Sequence, residues 1–439
     1  MENNRVTAYK VLLGIYRDNK YSNLALKKIL FDIKSEDQNF VRELVYGVLE
    51  NQYLLDYNLE RFLRKPLESH KLSEKIILRM GVYQIGFMKG VTDYAAVNET
   101  VDLAKKFAGG KQGLINGVLR SFLREGGRVK LPSLKDNSEE AEIEYLSLKY
   151  SYAPWIALLW IKQYGFNIAE SIMKSTLRPP PMTLRVNLRK INREDLAEAL
   201  KGEGIETEIV EGHIGAINVR GTDILSNPLY KEGLFSVQDY ASQRAVRSLT
   251  VCIGRYLGNR NLEAMDLCAA PGGKSMALSE YLGEGSSILA VDLYKNKLNL
   301  IAKEAHRLGM DNIYLKQGDS RIFNEDLRES KDVVLCDVPC SGLGVIRRRP
   351  EIKLMKKEDD IRELPNIQYE ILCRGSEYTR PGGLIMYSTC TLNRKENREL
   401  LNKFLSKKKN FTLLREVEMR PDKDDTDGFF FGICRKGEI

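Results

Sequence analysis

"LEAMDLCAAPGGKS" (Leu262–Ser275) runs from an apolar stretch closed by Asp266, through a turn of small residues, into the helix-forming "KSMALSEYL". A strand that breaks and restarts as a helix is the first half of a strand–helix–strand unit. The rest of the C-terminal half repeats that rhythm: "SSILAVD" (286–292), "NIYLKQGD" (312–319), "DVVLCDV" (332–338) and "GGLIMYSTC" (382–390) alternate with helical periods such as "KNKLNLIAKEAHRLG" (295–309). Continuous Val/Ile/Leu runs predict strands covered on both faces, hence a doubly wound, Rossmann-like α/β sheet. "FTLLREVEM" and "FFFGICRK" follow without an intervening crossover helix and predict an antiparallel hairpin at the sheet edge. Ligands of such sheets bind beyond the carboxyl ends of the strands.

Upstream the period changes. From Arg5 to about residue 122, in stretches such as "YKVLLGIYRD" (9–18) and "SEKIILRMGVYQIGFM" (73–88), apolar residues recur every three or four positions, which predicts an all-helical domain over 1–140. After the polar break "KLPSLKDNSEEAE", one amphipathic helix is expected over "EYLSLKYSYAPWIALLWIKQYG" (144–165), its Trp155 and Trp160 packed in a core. "RPPP" (178–181) then leads into alternating short strands and one helix, so 141–235 reads as a linker helix with a small α+β domain and 236–439 as the sheet domain.

Composition limits the chemistry. The 439 residues fit about three domains. Neither a signal-peptide core nor an apolar run of about 20 residues occurs, so a soluble, cytosolic protein without membrane contact is expected. Seven scattered cysteines, an odd number, predict reduced thiols rather than a disulfide framework. The net charge of +8 becomes informative only where it clusters, as in "RRRPEIKLMKK" (347–357), a candidate for phosphate contacts. Nothing in the sequence demands more than a monomer.

The turn after the first sheet strand excludes two nucleotide sites. A phosphate loop would need glycine where Cys268 stands, and G-x-G-x-x-G is absent. Gly272 and Gly273 still permit close backbone approach, and the amides at the helix start favour a polar group. S-adenosylmethionine, one nucleoside with an amino-acid tail and no pyrophosphate, fits those constraints. Asp292 closes the second strand about 20 residues after the glycines, the position from which a carboxylate reaches ribose hydroxyls. Asp319 at the next strand end is placed to accept from an adenine amino group, and Asp337 makes three acidic strand ends in succession.

Cys340 and Cys390 follow the fourth and fifth strands, some 50 positions apart in sequence. Cys336 and Cys340 are wrongly spaced for a zinc hook, the three histidines lie elsewhere, and no C-x-x-C turn occurs, so neither a metal nor a redox pair is expected. Methylation of a pyrimidine ring carbon has a use for both thiols. C5 of cytosine is too weak a nucleophile until a thiolate adds to C6, and a base must later remove the C5 proton so that the thiolate can leave. Asp337 is suited to hold the N3 and amino edge of the ring. Spacing alone does not rank the two cysteines.

Together, "DLCAAPGGKS", "DVPCSGLGVIRRRPEIK", "YSTCTLNRKEN" and "TDGFFFGICRK" resemble the RNA cytosine-C5 methyltransferases. "RELVYGVLENQYLLD", "DYAAVNETVDLAKKF" and "LINGVLRSFLR" resemble the NusB RNA-binding fold, and the combination resembles the RsmB (Sun or Fmu) type. That resemblance implies methylation of one cytosine of bacterial 16S (small-subunit) ribosomal RNA, free or in an assembling particle, with S-adenosylmethionine as methyl donor. It implies a cofactor loop of Cys268, Ala269, Ala270, Pro271, Gly272, Gly273 and Lys274, with Asp292, Asp319 and Asp337 completing cofactor and base contacts. Cys390 is then the nucleophile, and Cys340 assists product release. A transfer RNA cytosine-C5 methyltransferase shares the catalytic motifs, and a non-catalytic NusB-like RNA-binding regulator is the rival from another class.

Overall fold

The proline run at 179–181 is where the chain passes from one structural unit to the next. A computed structural model describes residues 3–30, 35–220, 224–258, 260–283 and 285–438. It divides into Met1–Pro179 with Ile346–Glu358, and Pro180–Val345 with Asp359–Ile439. Among the described residues no helix is long and apolar enough to cross a membrane.

The first unit is helical, as the three- and four-residue spacing predicts. Helices Asn4–Asp18, Ser35–Glu50, Leu72–Phe87, Asp93–Phe107 and Gln112–Arg124 turn their apolar stripes onto one core that includes Leu12, Val45, Ile77, Leu119 and Phe122. Asn3 and Thr92 cap the first and fourth of these through side-chain acceptors. The single helix expected over 144–165 is instead two, Glu139–Tyr150 and Pro154–Tyr164. Ser151 takes a left-handed conformation with φ 54°, and Pro154 starts the next helix. Proline disfavours helical backbone in the residue before it and is accommodated in a first turn, so an apolar stripe can continue across a break in the backbone. Trp160 is fully buried against Tyr152, and Trp155 Nε1 donates to Lys356 O.

That last bond involves the basic cluster, which is solvated only in part: Arg348, Arg349 and Lys356 are half-buried and Lys357 is exposed. Arg347 and Lys353 are buried, and Leu354 and Met355 pack on the helical core. Lys353 Nζ donates to Glu50 O and Tyr150 O, both at 2.8 Å, while Glu351 accepts from the Ser22 amide and hydroxyl. Arg349 stacks 4.8 Å over the Tyr21 ring. Segment 346–358 is thus a strap built into the helical unit, although its sequence neighbours on both sides belong to the other unit.

The second unit holds two sheets. β1 (Met182–Val186), β2 (Glu206–Ile209), β3 (Ala216–Arg220) and β4 (Phe235–Val237) form an antiparallel sheet in the order β2-β3-β1-β4, with helix Arg193–Gly202 packed through Leu196 and Leu200. β5 (Glu263–Asp266), β6 (Ser287–Asp292), β7 (Ile313–Gln317), β8 (Lys331–Asp337), β9 (Thr379–Thr389), β10 (Phe411–Met419) and β11 (Phe429–Lys436) form the larger sheet, ordered β10-β11-β9-β8-β5-β6-β7. β5 to β9 are parallel, and β10 and β11 pair antiparallel at the sheet edge, with the later strand on the inside against β9. Two apolar clusters sandwich this sheet, one including Val333 and Leu335 and the other Val334 and Cys336, which is why β8 has no polar alternation. The register sets Asp337 opposite Ser388, so the ends of β8 and β9 open at one level.

Candidate active site

Strand register decides what meets at the sheet's carboxyl edge. Cys340, three residues beyond β8, and Cys390, the residue after β9, place their sulfurs 3.1 Å apart. That is well beyond a disulfide bond of about 2.05 Å, and both remain thiols within contact of each other. The hydrogen bond with Cys390, followed by burial, holds the Cys340 thiol well above the usual cysteine range.

Asp337 lies beside the pair. Its Oδ2 accepts from Lys274 Nζ at 2.6 Å and its Oδ1 from Ser388 Oγ at 2.7 Å. Burial works against the Lys274 ammonium, yet the charges of Asp337, Cys390 and Asp266 hold its pKa above the ordinary lysine value. Lys274 therefore remains a cation next to the thiol pair.

The loops carrying the cysteines are braced from beneath by one buried carboxylate. Glu396 is fully buried and accepts from the Ser341 amide at 2.8 Å, Gln368 Nε2 at 2.9 Å and Asn393 Nδ2 at 2.9 Å. Gln368 also donates to Pro339 O, and Asn397 donates to Thr391 O. Two glycines interlock behind the pair: Gly344 N–H donates to Cys390 O at 3.0 Å, and Gly428 N–H donates to Gly344 O at 2.8 Å. A Cβ on Gly344 would stand 1.9 Å from Gly428 O and 2.8 Å from Cys390 O, both backbone atoms. Gly344→Ala should destabilise the fold by about 3 kcal/mol and pull the Cys390 loop out of place. Denaturant unfolding beside a methylation assay checks this; an alanine variant with both properties intact would contradict the close approach.

At the opposite side of β5 the small-residue turn folds as its sequence suggests. Gly272, at φ 104°, caps helix Gly273–Tyr281, and Asp292 accepts from Ala270 N–H at 3.2 Å and Tyr294 N–H at 3.0 Å. Asp319 falls two residues beyond β7 and is engaged by the Arg321 guanidinium. Two groups absent from the sequence-based set belong to this edge. Asp266 closes β5 with Oδ2 accepting from Ser275 Oγ and Oδ1 buried without a partner, and burial raises its carboxyl to about 7. Glu396 is the other. Asp266 was legible as a fourth acidic strand end; Glu396 looked like one more charge in "NRKEN".

Residues 257–432 match the family model described as 16S rRNA methyltransferase RsmB/F, residues 2–124 match the NusB family, and residues 152–222 match the RsmF/B-like ferredoxin-like domain. The chain is 35% identical to the probable ribosomal RNA small subunit methyltransferase B of Bacillus subtilis, over 98% of both chains. The chain belongs to the RsmB/F methyltransferase family. It is also 30% identical to ribosomal RNA small subunit methyltransferase B of Proteus mirabilis, over 99% of both chains. A solved methyltransferase homologue from Pyrococcus horikoshii is 26% identical, with a TM-score of 0.59, over 69% of this chain and 99% of that one. The family's three-part build, a NusB-type helical domain, a ferredoxin-like domain and a Rossmann-like sheet domain, is the architecture found here.

The protein is a methyltransferase with S-adenosylmethionine as its cofactor. The residues present fit that group. The unpartnered buried Asp266 Oδ1 is an acceptor suited to an ammonium, Asp292 keeps acceptor capacity for hydroxyls, and Gly272 and Gly273 leave the turn without side chains.

Proposed function

We propose that this protein methylates C5 of a cytosine in 16S (small-subunit) ribosomal RNA through a transient bond between Cys390 Sγ and C6 of the ring. The observation that carries this reading is the 3.1 Å separation of Cys340 and Cys390 sulfurs beside the Lys274–Asp337 pair. Methylation of an exocyclic amino group has no use for two adjoining thiols.

Cys390 is the nucleophile. Its sulfur sits beside the Lys274 cation, which favours the thiolate over the thiol, while Cys340 keeps its own proton and donates it toward Cys390. Thiolate addition to C6 shifts the C5–C6 π electrons toward C5 and N3; N3 takes a proton from solvent, Asp337 holds that edge of the base while the proton is there, and the proton returns to solvent when the thiolate leaves. S-adenosylmethionine, bound along Cys268–Lys274 with Asp266, Asp292 and Asp319, supplies the methyl group to C5. Once the Cys390 sulfur is bonded to carbon it no longer carries the charge that kept Cys340 protonated. Cys340 can then lose its proton to solvent and take the one on C5; the C5–H electron pair re-forms the C5–C6 double bond as the C6–S bond breaks, and Cys390 leaves as thiolate.

Relatives carrying small-subunit ribosomal RNA in their names over essentially the whole chain support that RNA as substrate rather than transfer RNA. Bisulfite sequencing of ribosomal RNA from cells with and without the gene tests it. One cytosine should lose its protection in the deletion strain; unchanged ribosomal RNA with altered transfer RNA would favour the other substrate.

A further inference from the structure

Strand β1 and the turn that follows it, "MTLRVNLRK", carry Arg185 within the strand and Asn187 and Arg189 just beyond its end. Polar side chains in such a place are usually solvated, yet Arg185 and Asn187 are buried. Most of their partners lie on the two helices that follow β5 and β6, with Gln238 and Gly233 O beside β4 completing the set. Arg185 Nη1 donates to Gly273 O at 2.7 Å and to Gln238 Oε1 at 2.7 Å, and its Nε donates to Glu280 Oε1 at 2.9 Å. Arg189 Nη2 donates to Ser279 O. Asn187 Nδ2 donates to Leu308 O at 2.9 Å, the last residue of helix Lys295–Leu308.

Helix Gly273–Tyr281 is therefore gripped at its first residue and in its last turn by one strand of another domain. The grip is expensive to build. The Arg185 and Glu280 side chains are 4% and 1% exposed, and Glu280 Oε2 has no partner. Burial raises the Glu280 carboxyl to about 7 despite the arginine. A buried pair of this kind adds little to stability compared with apolar packing, so its use lies in fixing geometry. What it fixes is the carbonyl of Gly273, and a Cβ on that glycine would meet Gln238 Nε2 at 3.1 Å. The backbone of the cofactor turn is pressed against a surface made by β1 and the end of β4.

We propose that Arg185 is a positioning residue for the cofactor site: through Gly273 and Glu280, the middle domain sets the affinity of the catalytic sheet for S-adenosylmethionine. The inference rests on the reading of Cys268–Lys274 as the cofactor loop. The guanidinium fork reaches two helix positions at once, which a lysine cannot do. The middle domain is on this account part of the cofactor site's scaffold, in addition to any contact it makes with RNA.

The test uses the full-length protein with Arg185→Lys, Glu280→Gln, Asp292→Ala and Arg79→Lys. The last breaks a buried, bidentate Arg–Asp pair in the helical unit and serves as a stability control. S-adenosylmethionine and S-adenosylhomocysteine dissociation constants are measured by calorimetry, RNA affinity by filter binding, and amide exchange of 272–276 without cofactor. Arg185→Lys and Glu280→Gln should weaken both cofactor ligands by about 10- to 100-fold and speed exchange at the turn, with RNA affinity within about twofold. Arg79→Lys should lower the melting temperature and leave cofactor affinity alone. Cofactor affinity within twofold of wild type in Arg185→Lys, or an equal loss of RNA affinity, overturns the inference. If Asp292→Ala also binds the cofactor normally, the loop reading itself is at fault.

Discussion

Cys390→Ala should reduce methyl transfer by about 10⁴-fold or more, because the neighbouring thiol, Cys340, holds its proton and does not replace it as the group that adds to C6. Cys340→Ser should fail differently. Its Cys390 is intact and still beside Lys274, so addition and methyl transfer proceed; a serine hydroxyl, far less acidic than a thiol, does not give up its proton to become the base. The methylated RNA should stay attached, and a slow-migrating protein–RNA band should survive denaturing electrophoresis. The band should vanish in Cys340→Ser/Cys390→Ala. The 3.1 Å sulfur–sulfur contact makes the two roles interdependent, so the double variant should be no worse than Cys390→Ala alone. A band from Cys390→Ala and none from Cys340→Ser would reverse the assignment.

Asp337→Asn should rank second, lowering kcat/KM by about 10³-fold. The amide can still meet the Ser388 hydroxyl and the base's amino edge, but it cannot stabilise a proton on N3. It also leaves the Lys274 ammonium, at 10% exposure, without the carboxylate 2.6 Å away. Two effects then act together: the adduct is less stable, and Lys274 loses part of what keeps it charged. RNA and S-adenosylmethionine affinities should change only a few-fold, since the lost interaction belongs to the adduct. A kcat/KM within tenfold of wild type would remove Asp337 from the reaction.

The parallel sheet was legible because most of its strands are continuous apolar runs that end at Asp292 and Asp337 or one residue before Cys390, and such runs keep that signal whatever packs on them. That Cys340 and Cys390 flank one pocket was legible from their strand ends; their 3.1 Å contact was not, since it depends on the Asp337–Ser388 register, which no local pattern encodes. Between Tyr145 and Gly165 the apolar stripe ran through a backbone break, and hydrophobic period masked what Pro154 should have signalled. "RRRPEIKLMKK" was legible only in part, for the opposite reason. Its charges are real, but Glu50 O and Tyr150 O, some 300 and 200 residues away in sequence, satisfy Lys353 inside a core. Glu396 was hidden likewise: a buried carboxylate that braces two loops has the sequence appearance of a solvated one.

The claim that the reacting atom is C5, reached through an adduct at C6, has one direct measurement. Small-subunit ribosomal RNA transcribed with cytosine tritiated at C5 is incubated with the protein and S-adenosylmethionine, and tritium released to water is counted against methyl groups transferred. The account predicts one tritium per methyl, with release but not transfer slowed in Cys340→Ser. Methyl transfer that leaves the tritium on the ring would contradict it.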